Sequence, residues 1–167
     1  MADKFERIVE YRVLLTKQQE LRIPLTTDEA GRLDRLRRQF PDTVPALDER
    51  DPYSIISEPI AADVVYAGSF NTALVRNATG GGLALAMHEP PPLGQRLLIH
   101  VRDQRYAFQY TIPGWVVSRV VKGVSGISIA FEGLPTRTPI GTHRSGVYRA
   151  EDDTPTRVGR HRAGSGR

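Results

Sequence analysis

Apolar positions recur at two different periods along this 167-residue chain. Phe5, Ile8, Val9, Leu14 and Leu15 return at helical spacing with charges between them, which predicts a helix. Ile23-Pro24-Leu25 interrupts it, because proline disfavours a helical residue before it and cannot donate to a continuing helix. Thr26 or Thr27 can cap a second helix, with Asp28 and Glu29 in the first turn, where the helix dipole favours anions. Ala30, Leu33, Leu36 or Arg37, and Phe40 carry its stripe. Arg35, Arg37 and Arg38 crowd its C-terminal end, and Pro41 and Pro45 close it.

From about residue 52 the period falls from 3.6 to 2. "IAADVVYA", "FNTALVRN", "GLALAM", "GQRLLIHV", "YAFQYTIPGWVVSRVV" and "GVSGISIAF" are short, branched or aromatic, and divided by Gly, Pro and Asn. Leu97, Ile99 and Val101 share one face and Arg96, His100 and Arg102 the other; Tyr106, Phe108, Tyr110 and Ile112 align, as do Ile127, Ile129 and Phe131. Six such segments without an intervening helix predict a mainly β fold, a six-stranded antiparallel barrel that removes exposed edges by closure. Pro113-Gly114 inside the fifth segment predicts a bend or bulge. Residues 136–167 are rich in Arg, Gly, Thr, Pro and Ser and nearly devoid of apolar side chains, a composition that predicts disorder. Three regions follow: a helical pair over 1–48, a barrel over 49–135 and a disordered tail over 136–167.

Charge refines the picture. Of 23 basic and 19 acidic residues, seven and three lie from 136 onward, so residues 1–135 balance at 16 and 16 and the net +4 belongs to the tail. An electrically neutral body argues against a dedicated nucleic-acid-binding domain, which needs clustered Lys and Arg, and leaves only the basic tail for such a contact. No apolar run approaches the roughly 18 residues of a spanning helix. The charged start "MADKFERIVEY" has no signal-peptide centre, and cysteine is absent, so thiol chemistry and disulfides are excluded. A cytoplasmic protein is the expectation.

The stretch "RNATGGGL", residues 76–83, carries the chemistry worth weighing. A phosphate-binding loop needs a lysine after its glycines and a helix whose N-terminus holds the anion. Here Leu83 follows and the strand pattern resumes, which also rules out a dinucleotide fingerprint. What remains is a polar turn between two strands. Asn77 can brace its own backbone two residues on, and the glycines are free to take positive backbone angles.

"LVRNATGGGLALAMHEPPPLGQRLLIHV", with "GWVVSRV" and "GISIAFEGLP", resembles a PilZ domain, the six-stranded bacterial barrel known as a receptor for cyclic di-GMP. The resemblance covers about 60–135. Its most specific part is the Asp/Asn-x-Ser-x-x-G motif, matched by Asn77, Thr79 and Gly82 with threonine in place of serine. It implies a PilZ-like barrel and places any ligand contact at those three residues.

The second half of the family's ligand site, Arg-x-x-x-Arg before the first strand, has no match. Two guanidiniums there grip phosphates and stack on guanine, a task suited to their fixed charge and planar fork. In "DERDPYSIISEPIAADVV", Arg50 is followed four residues later by Ser54, and no arginine in the chain has another four residues downstream. Hydrogen bonds to charged groups contribute roughly 1.5–3 kcal/mol each, so losing two costs about 3–6 kcal/mol, on the order of a hundredfold to ten-thousandfold in affinity. The resemblance therefore implies a regulatory or interaction protein without a cofactor, one that does not hold cyclic di-GMP by the usual site. Relatives act in bacterial motility, polarity or surface behaviour. The alternative is a receptor in which Arg50, Arg76 or the Arg35 to Arg38 cluster joins Asn77 and Thr79, and in which 46–59 becomes ordered by the ligand.

Catalysis is not expected. His88, His100, His143 and His161 are scattered, and no metal-ligand spacing or nucleophile–base pair is recognisable. The expected partners are other proteins, or a second copy docking through the helices at Leu33 and Leu36 beside Arg35 and Arg38. For the arginines a solvated face that complements the helix dipole is the preferred account, and a partner-binding or phosphate-contacting patch the sharper alternative.

Overall fold

A computed structural model describes residues 2–47, 60–103 and 108–140. Among the described residues two helices, α1 (Ala2–Gln19) and α2 (Thr27–Arg37), precede seven strands. α1 stops short of Pro24, its chain turning at Arg22 with a φ of 53°. Thr26 is the cap of α2. Its hydroxyl accepts from the Glu29 amide at 3.3 Å, and the Glu29 carboxylate accepts from the Thr26 amide at 2.9 Å. The same carboxylate takes two hydrogen bonds from Lys17, at 2.7 and 2.8 Å, which ties the start of α2 to the end of α1.

The strands are β1 (Ile60–Tyr66), β2 (Ser69–Ala78), β3 (Gly82–Ala86), β4 (Arg96–Asp103), β5 (Phe108–Val120), β6 (Gly126–Phe131) and β7 (Thr136–Pro139). Their order is β4-β1-β2-β3-β6-β5-β7, every pairing is antiparallel, and β4 also pairs with β5. The first six therefore close into a barrel. Alternation decides which side chains fill it. Val64, Val75, Leu83, Leu85, Leu97, Ile99, Val101, Tyr110, Ile112, Ile127 and Ile129 are buried, as a two-residue period on a closed sheet requires.

The helices complete the same core. α1 brings Phe5 edge-on to Tyr110, with ring centres 5.5 Å apart, and the Thr16 hydroxyl donates to the Gly133 carbonyl at 3.1 Å. Leu33 and Leu36 are 2% and 5% exposed and belong to the hydrophobic cluster that runs from α1 through the barrel. This corrects the expectation that the two leucines offer a docking face. The apolar stripe of α2 is satisfied within the chain, because an exposed face of that size would be costly when the barrel end is there to cover it.

Two further expectations change. Thr136–Pro139, read as the start of a disordered tail, pairs with β5 from Thr111 back to Phe108. Composition missed it because all four of its residues are exposed, so the strand carries no hydrophobic signal. Its anchor is Arg137, whose guanidinium lies 3.7 Å from the centre of the Phe108 ring and reaches the Glu6 carboxylate at 3.1 Å. Residues 141–167 lie outside the described residues.

Pro113-Gly114 does not break β5. The strand is paired with β7 up to Thr111 and with β6 from Gly114, so the proline falls where one neighbour gives way to the other. A residue without an amide hydrogen fits there at no cost. The irregularity in β5 comes later, between Val116 and Ser118.

Candidate functional site

Asn77, Thr79 and Gly82 meet at the β2–β3 hairpin. A register shift between Val75 and Asn77 leaves Arg76 as the extra residue, exposed to solvent. Asn77 is buried, and its side-chain oxygen accepts from the amide of Ala78 at 2.8 Å, one residue on rather than two. The Thr79 amide donates to the Gly82 carbonyl at 3.0 Å, which closes the turn, and the Thr79 hydroxyl accepts from the Gly81 amide at 3.3 Å.

The triple glycine has a different cause from the one its composition suggests. Positive φ angles occur at Gly68, Gly94, Gly123 and Gly133, and none of Gly80, Gly81 and Gly82 adopts one. What these three positions lack is room. A Cβ on Gly80 would stand 2.4 Å from the Tyr11 ring, one on Gly81 would stand 2.1 Å from the Asp42 carbonyl oxygen, and one on Gly82 would stand 1.9 Å from the Ile129 oxygen. The chain leaving α2 lies directly on the turn, backbone against backbone, and only glycine permits that approach.

This covering segment, residues 41–47, is fastened by polar groups of the turn. The Gly80 amide donates to the Pro41 carbonyl at 2.9 Å, and the Thr79 hydroxyl donates to the Thr43 carbonyl. Tyr11 of α1 closes the arrangement by donating to the Asp42 carboxylate, its ring wedged beside Gly80. Burial, and then the Asp42 bond, push the Tyr11 hydroxyl above its usual range of ionisation.

Beyond the turn the segment runs along the outside of β3 and β6. The Val44 side chain lies beside Gly82, and that of Leu47 beside Gly126 at the opposite end of the strand pair. The outward positions between them are small: Ala84 and Ala86 on β3, Ser128 and Ala130 on β6. Ala84 and Ser128 are buried although they face away from the barrel interior, and the Ser128 hydroxyl has no hydrogen-bond partner among the described residues. Sequence periodicity could not reveal the overlay. A run of Gly and Ala on alternate positions was the available signal, and it reads equally well as low side-chain bulk.

The other expected site residues are dispersed. Arg35 and Arg38 are exposed on the C-terminal side of α2. Arg50 and residues 141–167 of the basic tail lie outside the described residues. His100 sits on the outside of β4, its Nδ1 within 3.0 Å of both the Thr111 hydroxyl and the Gln109 amide nitrogen. Among the described residues no three His, Asp or Glu side chains gather into a metal-holding group, and no helix is long and apolar enough to cross a membrane.

No protein-family model, no curated protein and no solved structure matches this chain.

Proposed function

We propose that this chain is a non-enzymatic bacterial regulatory protein built on a PilZ-like barrel. In this reading it does not hold cyclic di-GMP by the usual site, and it works by contacting other proteins in the control of motility or polarity. One observation carries the reading. The hydroxyl and amide of the glycine turn, the groups that a ligand there would need, already bind the chain's own residues 41–43.

The energetics support it in two steps. The Arg-x-x-x-Arg pair is absent from the sequence. A nucleotide reaching Thr79 and Gly80 would also have to break the bonds to Thr43 and Pro41, at about 0.5–1.5 kcal/mol each and so about 1–3 kcal/mol together. Both penalties fall on the same ligand.

Calorimetric titration of the full chain with cyclic di-GMP tests the proposal. The expected result is no saturable heat below about 1 mM nucleotide, which corresponds to under about 4 kcal/mol of binding free energy. A micromolar constant that Asn77→Ala abolishes would replace this reading with the receptor reading, in which Arg76 or Arg50 supplies the charge.

A further inference from the structure

The outer wall of the barrel formed by β2, β1, β4 and β5 is clothed very differently from the β3–β6 wall. Along β3 and β6 the chain's own residues 41–47 lie over the outward positions. Across the other four strands, apolar side chains form a continuous row. Phe70 is paired with Val65, Val65 with Leu98, and Leu98 with Pro113. Phe70 is 74% exposed and Leu98 is 41% exposed, and Trp115, paired with Arg96 one outward step along β5, is 41% exposed. Scattered apolar residues on a surface need no explanation, but a contiguous row rimmed by polar groups marks a contact.

The next outward row, one step along the same strands, identifies the occupant. It reads Thr72, Asp63, His100, Thr111 across β2, β1, β4 and β5. Both rows complement themselves when reversed. A second copy, turned by half a revolution about an axis lying between β1 and β4 and parallel to them, exchanges the strands β1 with β4 and β2 with β5. Val65 then meets the second copy's Leu98, and Phe70 meets its Pro113 beside Trp115. In the polar row Asp63 meets the second copy's His100, and Thr72 meets its Thr111.

The groups needed for that exchange face outward. The Asp63 side chain is 34% exposed and stands 3.3 Å from Arg102 on the same wall. His100 uses Nδ1 within the chain, and among the described residues its Nε2 has no hydrogen-bond partner. At the Trp115 end, the Arg96–Glu132 ion pair at 3.0 Å supplies both signs of charge to the rim. Three interstrand steps of about 4.8 Å make the rows about 14 Å wide. On a curved barrel Val65 and Leu98 form the centre, and the longer Phe70 and Trp115 side chains reach in from the flanks. Isologous pairing of this kind closes on itself and leaves no free end.

We infer that the β2–β1–β4–β5 wall is a homodimer face, centred on Val65 and Leu98 and keyed by reciprocal Asp63–His100 contacts. The inference rests on reading the chain as an interaction module, and it names a second copy as the partner.

Analytical ultracentrifugation of the full chain from about 1 to 300 µM is the test, a range that brackets the affinity of a small, transient interface. The expected result is a concentration-dependent dimer. Phe70→Asp combined with Leu98→Asp should leave a monomer throughout, with an unchanged circular dichroism spectrum and melting curve. Asp63→Lys and His100→Asp should each weaken self-association at least about tenfold. An equimolar mixture of those two variants should restore it. In the mixed dimer the introduced ammonium faces the introduced carboxylate, and the unaltered Asp63 and His100 face each other. A wild-type monomer across the range overturns the inference. So does a dimer that survives the Phe70/Leu98 change, or a mixture no better than its components. These outcomes are independent of the nucleotide titration: a monomer that ignores cyclic di-GMP removes the dimer and keeps the proposed function, whereas a dimer that binds it at the turn does the reverse.

Discussion

The hydroxyl of Thr79, on the hairpin between β2 and β3, donates to the backbone carbonyl of Thr43, which follows α2. The bond joins residues 36 positions apart and places the polar apex of a barrel turn under the chain's own N-terminal segment. The hydroxyl is buried and also accepts from the Gly81 amide, so it is satisfied on both sides. Thr79→Val should lower stability by about 1–3 kcal/mol, because it removes two part-buried hydrogen bonds, to the Thr43 carbonyl and from the Gly81 amide, at about 0.5–1.5 kcal/mol each. Thr79→Ser should stay within about 1 kcal/mol of the parent, since only a methyl is lost. Urea denaturation of the three proteins checks both values.

Gly80 and Gly81 should respond differently to alanine. The Cβ of Gly80→Ala would meet the edge of the Tyr11 ring, a side chain that can be removed, whereas that of Gly81→Ala would meet the backbone of Asp42 and Thr43. Each should cost about 1–3 kcal/mol by overpacking. Adding Tyr11→Ala should recover part of the Gly80→Ala loss and none of the Gly81→Ala loss. A double-mutant cycle gives the coupling directly, and coupling at Gly81 as large as at Gly80 would contradict the described packing.

Leu33 is a core residue and should behave as one. Leu33→Ala should destabilise by about 2–5 kcal/mol, the range for truncating a buried leucine. Thermal unfolding followed by circular dichroism should show one earlier, cooperative transition, because α2 and the barrel share a single cluster. A soluble variant with unchanged melting would return Leu33 to the surface.

Much of this architecture is written in the periodicity. Barrel strands are legible because one face is buried throughout, which forces alternation at Leu97, Ile99 and Val101 or at Ile127 and Ile129. α2 is legible from Thr26 and Glu29, whose capping chemistry is local. Long-range decisions are not. β7 is held by Arg137 over Phe108 and by Glu6, contacts that no composition window contains. Residues 41–47 carry little hydrophobic pattern, yet their path, with Tyr11 and Ile129, decides why three glycines follow Thr79. The glycine motif could be located from sequence, but whether its polar groups look outward or are consumed internally depends on a segment more than thirty residues away.

Alkaline pH should loosen the same contact. Tyr11 ionises above its ordinary value of 10.0 in the folded state, chiefly through burial. A group whose folded pKa is raised stabilises the fold below its unfolded value, and that stability drains away as the pH climbs through the folded value. The window opens near pH 10 and extends upward. Stability measured by urea titration should fall across it in the wild type. Tyr11→Phe should begin lower by about 0.5–1.5 kcal/mol, having lost the bond to Asp42, and should lack this component of the alkaline decline.

Most direct of all is an amide-resolved NMR titration of the full chain with cyclic di-GMP, following Thr79, Gly80 and Gly81. If the turn belongs to the chain's own N-terminal segment, those three resonances should stay in place up to about 1 mM nucleotide, short of even ~4 kcal/mol of binding free energy. Saturable shifts centred on them at micromolar nucleotide, lost on Asn77→Ala, would contradict it.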